Sequence, residues 1–180
     1  MLFRSSPLNA LGRVLLRDGR IERIDLDAIP FPPGAREPEG AGRARVAQVA
    51  HVLGSHPDLA IRLRGLVGGA DAEHLRDEAT LADGRASEPL RAFLRARLAG
   101  SPAPPLDGAQ RARLDALVAG LPWPEAALHD LAVDRGAVVA AALILEHHLD
   151  AGRVSVETPA TPGPERLTAA PGVAVEVYER

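Results

Sequence analysis

Four short segments of this chain alternate apolar and polar residues, and this alternation limits what the chain can fold into. They lie near residues 21–29, 59–65, 153–157 and 173–178. In the second segment, Ile61 and Leu63 alternate with Arg62 and Arg64. Strands that are buried on both faces consist of continuous apolar runs instead. The pattern therefore predicts four strands in one sheet with one face on the core and one face open to water.

The segments between these strands have helical apolar spacing. Residues 41–55 carry apolar residues at i, i+3, i+4 and i+7, and a helix of this length between the first two strands predicts that those strands run parallel. Residues from about 72 to 121 form a broken helical pattern, which we interpret as an inserted group of helices. A long helix is predicted from about 124 to 149, with Gly136 as a candidate bend.

The N-terminal segment also fits a helical pattern. Ser6 and Pro7 are typical of a helix start, Leu8, Leu11 and Leu15 follow helical spacing, and Gly19 would end the helix. In the strand that follows, Ile24, Leu26 and Ala28 are the predicted core-facing residues.

These elements predict one α/β domain over residues 1–180. The expected architecture is a two-layer sandwich with β-α-β-α-β-β order, a mixed sheet, one solvent-exposed face and the helical insert at about 72–121. The last two strands should be antiparallel to each other. A chain of 180 residues can bury a core, which must be aliphatic because only 3% of the residues are aromatic.

Composition argues against several function classes. The net charge of −3 and the scarcity of aromatic residues argue against a nucleic-acid partner. The absence of cysteine excludes disulfides and cysteine-based zinc sites. The longest apolar run, residues 137–145, is about half of the ~20 residues that span a bilayer, so we expect no transmembrane segment in this chain.

Several short motifs resemble the C-terminal, uncharacterised domain of AsmA-like bacterial envelope proteins. They are Ser-Pro-Leu-Asn-Ala-Leu-Gly at 6–12, Phe-Pro-Pro-Gly-Ala at 31–35, and His-Pro-Asp-Leu at 56–59 with an acidic turn at Asp71. The resemblance covers most of the chain. It implies a periplasmic module that belongs to a longer membrane-associated protein.

That region is in turn similar to a diverged OmpA-like domain. Residues 131–139 resemble part of that family's second helix and retain Arg135, and Asp71 falls in the turn after the second strand. In OmpA-like domains, an acidic residue and an arginine bind the zwitterionic end of diaminopimelate. The resemblance thus implies Asp71 and Arg135 as candidate peptidoglycan-binding residues.

The chain also departs from the OmpA-like pattern. The Gly-His-Thr-Asp signature is replaced by Gly-Leu-Val-Gly-Gly-Ala-Asp at 65–71, and the Asn-Arg-Arg before the last strand by Ala-Pro-Gly at 170–172. The side chains that are missing at these positions are hydrogen-bond donors that would orient a ligand. Because they are missing, we expect no measurable binding of peptidoglycan fragments. In that case Asp71 caps a helix and Arg135 covers a helix face.

Other motifs have simpler structural interpretations. Adjacent His147 and His148 point about 100° apart on a helix, so we expect no metal site there. Ser155 lacks the Gly-x-Ser-x-Gly context of a nucleophile, and His129 is interpreted as a surface residue. The Gly-rich run 65–69 lacks the spacing of a phosphate loop.

A further group of arginines could form an anion-binding patch on the polar strand faces. Arg23, Arg62 and Arg64 make up this group, and Asp25, Asp27 and Glu176 should neutralise it.

We therefore expect a non-catalytic scaffold or interaction module of the cell envelope, without cofactor or metal. Its expected partners are other envelope proteins or the rest of its own longer chain, with peptidoglycan as an alternative. A peptidoglycan-binding OmpA-like domain is the second hypothesis. A small cytosolic enzyme of unknown chemistry is the third.

Overall fold

A computed structural model describes residues 12–17, 20–160, 163, 167 and 169–180. Within these residues the chain forms five strands and five α-helices. In chain order they are β1 Gly12–Arg17, β2 Arg20–Pro30, α1 Ala41–Ser55, β3 Leu59–Leu66, α2 Gly69–Ala82, α3 Glu88–Leu98, α4 Gly108–Ala119, α5 Glu125–Ala141, β4 Val154–Glu157 and β5 Gly172–Glu179.

All five strands belong to one mixed sheet with the order β1-β2-β5-β3-β4. Strand β5 is antiparallel to both of its neighbours, β2 and β3, and β4 is parallel to β3. Strands β2 and β3 therefore run parallel to each other, as predicted, but β5 lies between them. The four strands predicted from alternation are confirmed, and β1 is an additional edge strand.

One face of the sheet carries the core. Residues from β2, β3 and β5 pack there against α1 and the end of α5, and Ile61, Leu63 and Val177 are fully buried in this cluster. On the opposite face Arg62 and Arg64 are exposed. The chain is therefore an α/β sandwich of two layers, as predicted from the alternating strands.

The prediction of which β2 residues face the core is wrong at the C-terminal end of the strand. Leu26 and Ile29 are buried, whereas Ala28 is exposed. The register with β5 shifts between Leu26 and Ile29, which marks a β-bulge. An extra residue in a strand reverses the faces of the residues that follow it, so Ile29 takes the core position expected for Ala28.

The predicted N-terminal helix is also wrong over the residues that the structure describes. Residues 12–17 form β1, which is antiparallel to β2 with Arg17 opposite Arg20. The positions before Gly12 lie outside the described residues. The two-residue sequence Asp18-Gly19 between the strands is a strong hairpin signal, which we had interpreted as a helix stop.

Helix α5 is shorter than predicted, because a π-helical turn replaces regular helix at Ala142–Glu146. Gly136 lies close to Val156 of β4: a Cβ atom at Gly136 would lie 3.0 Å from Cγ1 of Val156. Gly65 of β3 faces the same helix, where a Cβ atom would collide with the carbonyl oxygen of Ala132. These two glycines let α5 lie directly against the sheet.

The inserted helices have a small core of their own. Its buried members come from α3, α4 and the segments that flank them: Ala86, Leu90, Leu94, Leu106, Leu114 and Leu117. A capping box is present at the start of α4, since the side chain of Asp107 accepts from the Gln110 backbone and the side chain of Gln110 accepts from the Asp107 backbone. The insert is thus a separate cluster beside the main core.

Candidate functional site

Asp71 lies in the first turn of α2, just after β3 ends. Its carboxylate accepts a 2.9 Å hydrogen bond from the backbone N–H of Gly68, which caps the helix as the sequence suggested. A second backbone N–H, from Gly34, donates to the other carboxylate oxygen at 2.8 Å. Asp71 is fully buried, with no exposed surface. Two separate loops therefore direct N–H groups at one buried carboxylate.

Arg135 lies in the middle of α5 and is equally buried, with no exposed surface. We expected Arg135 to cover a helix face at the surface, but it is buried instead. Its guanidinium reaches Asp71 through two parallel bonds, Nη2 to Oδ1 at 2.7 Å and Nη1 to Oδ2 at 3.0 Å. This is the bidentate geometry that a planar guanidinium forms with a carboxylate. The structure thus brings the two candidate residues into direct contact.

The rest of the guanidinium donates to main-chain carbonyls. Nε donates to Ala35 at 2.9 Å, Nη1 to Leu66 at 2.8 Å and Nη2 to Pro32 at 3.1 Å. An arginine has five N–H donors, and here all five have an acceptor. The aromatic ring of Phe31 adds a cation–π contact, with its centroid 5.2 Å from the guanidinium carbon.

The turn from Phe31 to Ala35 covers this ion pair. It supplies the ring of Phe31, two of the carbonyl acceptors and the N–H of Gly34. Gly34 has a φ of +71°, and a Cβ there would collide with the ring of His74, which packs over it. We call the group formed by this turn, Asp71 and Arg135 the clasp, because it joins the end of β2, the end of β3 and helix α5.

The clasp is chemically saturated. Asp71 accepts four hydrogen bonds, two from backbone N–H groups and two from Arg135, which is about the capacity of a carboxylate. A buried charge pair is tolerated when its geometry is good and its remaining donors and acceptors are satisfied, and both conditions hold here. An incoming carboxylate or ammonium group would have to displace these bonds before it could bind.

The other sequence candidates lie apart from the clasp. The hydroxyl of Ser155 donates to the carbonyl oxygen of Ile61 at 3.0 Å. His147 and His148 are exposed at the end of the π-helical turn, and no group of three or more potential metal ligands occurs among the residues described. The Gly-rich loop after β3 folds over Asp71 through the N–H of Gly68.

One arginine of the predicted patch on the open sheet face, Arg62, has described partners. Arg62 lies 3.7 Å from Glu176 and stacks over the ring of Tyr178, with 5.6 Å between the guanidinium carbon and the ring centroid. Asp27 pairs instead with Arg45 of α1, at 3.4 Å. The side chains of Arg23 and Asp25 are outside the described part of the structure.

Two structural roles were not predicted from the sequence. The Phe31–Ala35 motif was singled out for its resemblance, yet its backbone supplies three hydrogen bonds to the clasp. Arg153, at the start of β4, was not singled out. It donates to the carbonyls of Leu53, His56 and Leu59, and so joins the end of α1 to the start of β3. Neither role has a local sequence signal, because the partners are distant in the chain.

Within the residues that the structure describes, no helix combines the length and apolar character needed to cross a membrane. A scan against protein-family models and a search of curated proteins both found no match for this chain.

Proposed function

We propose that this chain is a non-catalytic interaction module of the bacterial cell envelope, part of a longer AsmA-like protein that is located in the periplasm. Its partners in this proposal are other envelope proteins or the rest of its own chain. The observation that favours an interaction module over a peptidoglycan-binding domain is the saturated clasp. The two residues that the resemblance assigns to ligand binding use all of their hydrogen-bonding capacity on each other and on the backbone.

The envelope part of the proposal rests on the resemblance. Two of the motifs that carry it, Phe-Pro-Pro-Gly-Ala at 31–35 and the acidic turn at Asp71, meet in the clasp together with Arg135. The order of elements from β2 to β5 also agrees with the β-α-β-α-β-β pattern, with α2–α4 as additional helices. Contact between motifs so far apart in sequence supports the idea that they are one inherited structural unit.

The location can be tested by fractionation. The native gene, at its full length and with an epitope tag, is expressed in its own host, and periplasmic and cytosolic fractions are compared with marker proteins. We expect the tag in the periplasmic or membrane-associated fraction on the periplasmic side. A tag that stays with the cytosolic marker would contradict the envelope proposal and would favour the small cytosolic enzyme.

A peptidoglycan-binding domain is the second candidate, and one observation favours it. Asp71 and Arg135 meet although they are 64 positions apart, as a site for a zwitterionic group would require. A sedimentation assay with purified peptidoglycan sacculi separates the two candidates. We expect the protein to remain in the supernatant at all sacculus concentrations, whereas saturable co-sedimentation would favour the second candidate.

A further inference from the structure

A groove lies between the start of α1 and the end of α5. It has a volume of about 400 Å³. Its apolar lining comes from both helices and consists of Val46, Val138, Ala141, Ala142 and Leu145. A concave, largely apolar recess of this kind is typical of sites that bury an apolar group.

Leu145 forms one wall of this groove and also projects from it. Its exposed fraction is 71%, the highest among the described large apolar side chains that are exposed, which also include Val133 at 37% and Val156 at 45%. A protruding leucine and an apolar recess therefore lie side by side on one surface. This is the arrangement that a twofold-symmetric contact needs, because each copy can offer its leucine to the recess of the other.

The backbone at this surface is irregular. Leu145 belongs to the π-helical turn Ala142–Glu146, and His148, just after it, has a φ of +56°. Turns of this type are rare and are frequent at functional sites, and a left-handed non-glycine residue costs free energy. Neither glycine nor proline in the turn accounts for it. The irregularity sets the position of Leu145 at the edge of the groove.

The rim of the groove carries charges of both signs. Glu37, Arg43 and Glu146 line it, and no ion pair involving any of them occurs among the described residues. Arg43 donates through its Nε to the carbonyl of Pro38 at 3.0 Å. A twofold-related copy would present carboxylates to Arg43 and an arginine to the carboxylates. Because the rim carries both signs, a twofold contact can pair Arg43 with a carboxylate of the other copy.

From these observations we propose that the groove binds a second copy of this chain, with Leu145 of each protomer seated in the groove of the other. The contact is small, so the dimer is expected to be weak, with dissociation in the micromolar range. It would leave the open sheet face accessible in both protomers. A small apolar ligand in the same groove is the competing occupant.

Sedimentation equilibrium of the purified chain, from low micromolar to near-millimolar concentration, tests the proposal. We expect the weight-average mass to rise toward twice the monomer mass. Leu145→Asp removes the projecting residue and Ala141→Glu fills the recess, and each should weaken association by about tenfold or more. Val133→Asp, an exposed apolar site outside the groove, is the control and should leave association unchanged. Circular dichroism confirms that each variant is folded.

Mixing the two variants gives the sharpest result. A Leu145→Asp chain loses the wall formed by Leu145 but keeps the part of its recess lined by Val46, Val138 and Ala142. An Ala141→Glu chain keeps its leucine, so the mixed dimer regains part of one of the two contacts. We expect the mixture to associate more strongly than either variant alone. A wild-type chain that stays monomeric at all concentrations would overturn the proposal. So would a dimer that neither variant weakens, or a mixture that associates no better than its components.

Discussion

Arg135 is a structural cross-link at the level of a single residue. Its five N–H groups bond to one carboxylate, to carbonyls of the Phe31–Ala35 turn and to the carbonyl at the end of β3. A lysine could not replace it, because an ammonium group has three donors and cannot form the planar bidentate pair. With the pair fully buried, loss of one partner leaves an uncompensated charge in the core.

Arg135→Ala is therefore expected to destabilise the fold by about 3–5 kcal/mol, because Asp71 would remain buried without its partner. Arg135→Lys should recover only part of that loss. Arg62→Ala, at a half-exposed arginine with a 3.7 Å ion pair, is the control and should cost less than ~1 kcal/mol. Denaturant titrations measure all three. Equal losses for Arg135→Ala and Arg62→Ala would mean that the clasp does not hold the fold together.

Asp77 of α2 gives a prediction about pH. Burial raises its pKa above the ordinary value of 3.8, although Arg97 lies 3.0 Å away and opposes the shift. A carboxyl group whose pKa is higher in the folded chain stabilises the fold when it is protonated. That contribution is complete below 3.8 and is lost as the pH rises through the folded pKa.

Asp77→Asn stays neutral at every pH, so its stability relative to wild type should increase as the pH rises from below 3.8 toward neutrality. Urea titrations at a series of pH values measure this difference. Asp115→Asn, at an exposed position of α4, controls for the loss of a surface carboxylate. If the stability of Asp77→Asn relative to wild type falls as the pH rises, the ion pair between Asp77 and Arg97 outweighs the cost of burying Asp77.

At the level of elements, the contact between α5 and the sheet depends on glycine. The helix lies so close to β3 that the carbonyl of Ala132 occupies the space of a side chain at Gly65. This approach also brings Arg135, one turn further along α5, within reach of Asp71 after β3. The position of the helix and the formation of the clasp are therefore linked.

Gly65→Ala should cost about 1–3 kcal/mol or more, because a methyl group there must displace backbone atoms. Gly54→Ala is the matched control. Gly54 lies near the end of α1 with no atom within 4 Å of an added Cβ, and alanine in a helix should stabilise by about 0.5–1 kcal/mol. Thermal unfolding distinguishes the opposite signs. A neutral Gly65→Ala would show that α5 can move away from β3 at little cost.

The inserted helices α3 and α4 pack around their own small cluster, beside the main core. Small clusters bury less apolar surface and open locally at lower free energy. Native-state hydrogen exchange should therefore show faster exchange in α3 and α4 than in β3 and β5. The opposite order, with the insert as the most protected region, would contradict this assignment.

The elements that could be predicted from the sequence are those whose signal is local. Alternation identified β3 and β5, and apolar spacing placed α1 at residues 41–55, as observed. The segment at 12–17 was misassigned because its leucines fit a helical period, whereas pairing with β2 decided its structure. The bulge in β2 and the π-helical turn after α5 depend on tertiary contacts, so local periodicity could not reveal them.

At the scale of the whole molecule, the same limit applies to the clasp. Asp71 and Arg135 could be singled out from the sequence as candidate residues. Their contact, and the covering turn 100 positions before Arg135 on the chain, could not, because no local pattern reports a long-range hydrogen bond. The three-dimensional arrangement replaces the expected helix cap and helix-face arginine with one buried ion pair.

The most direct test follows the backbone amides of Gly34 and Gly68 by NMR, since both donate to the carboxylate of Asp71. Diaminopimelate and a soluble muropeptide are titrated separately into the wild-type chain. If Asp71 and Arg135 bind each other and no ligand, these two amide signals should stay in place up to the highest ligand concentration. Saturable shifts of both signals would show that the clasp opens for the ligand and would contradict the account.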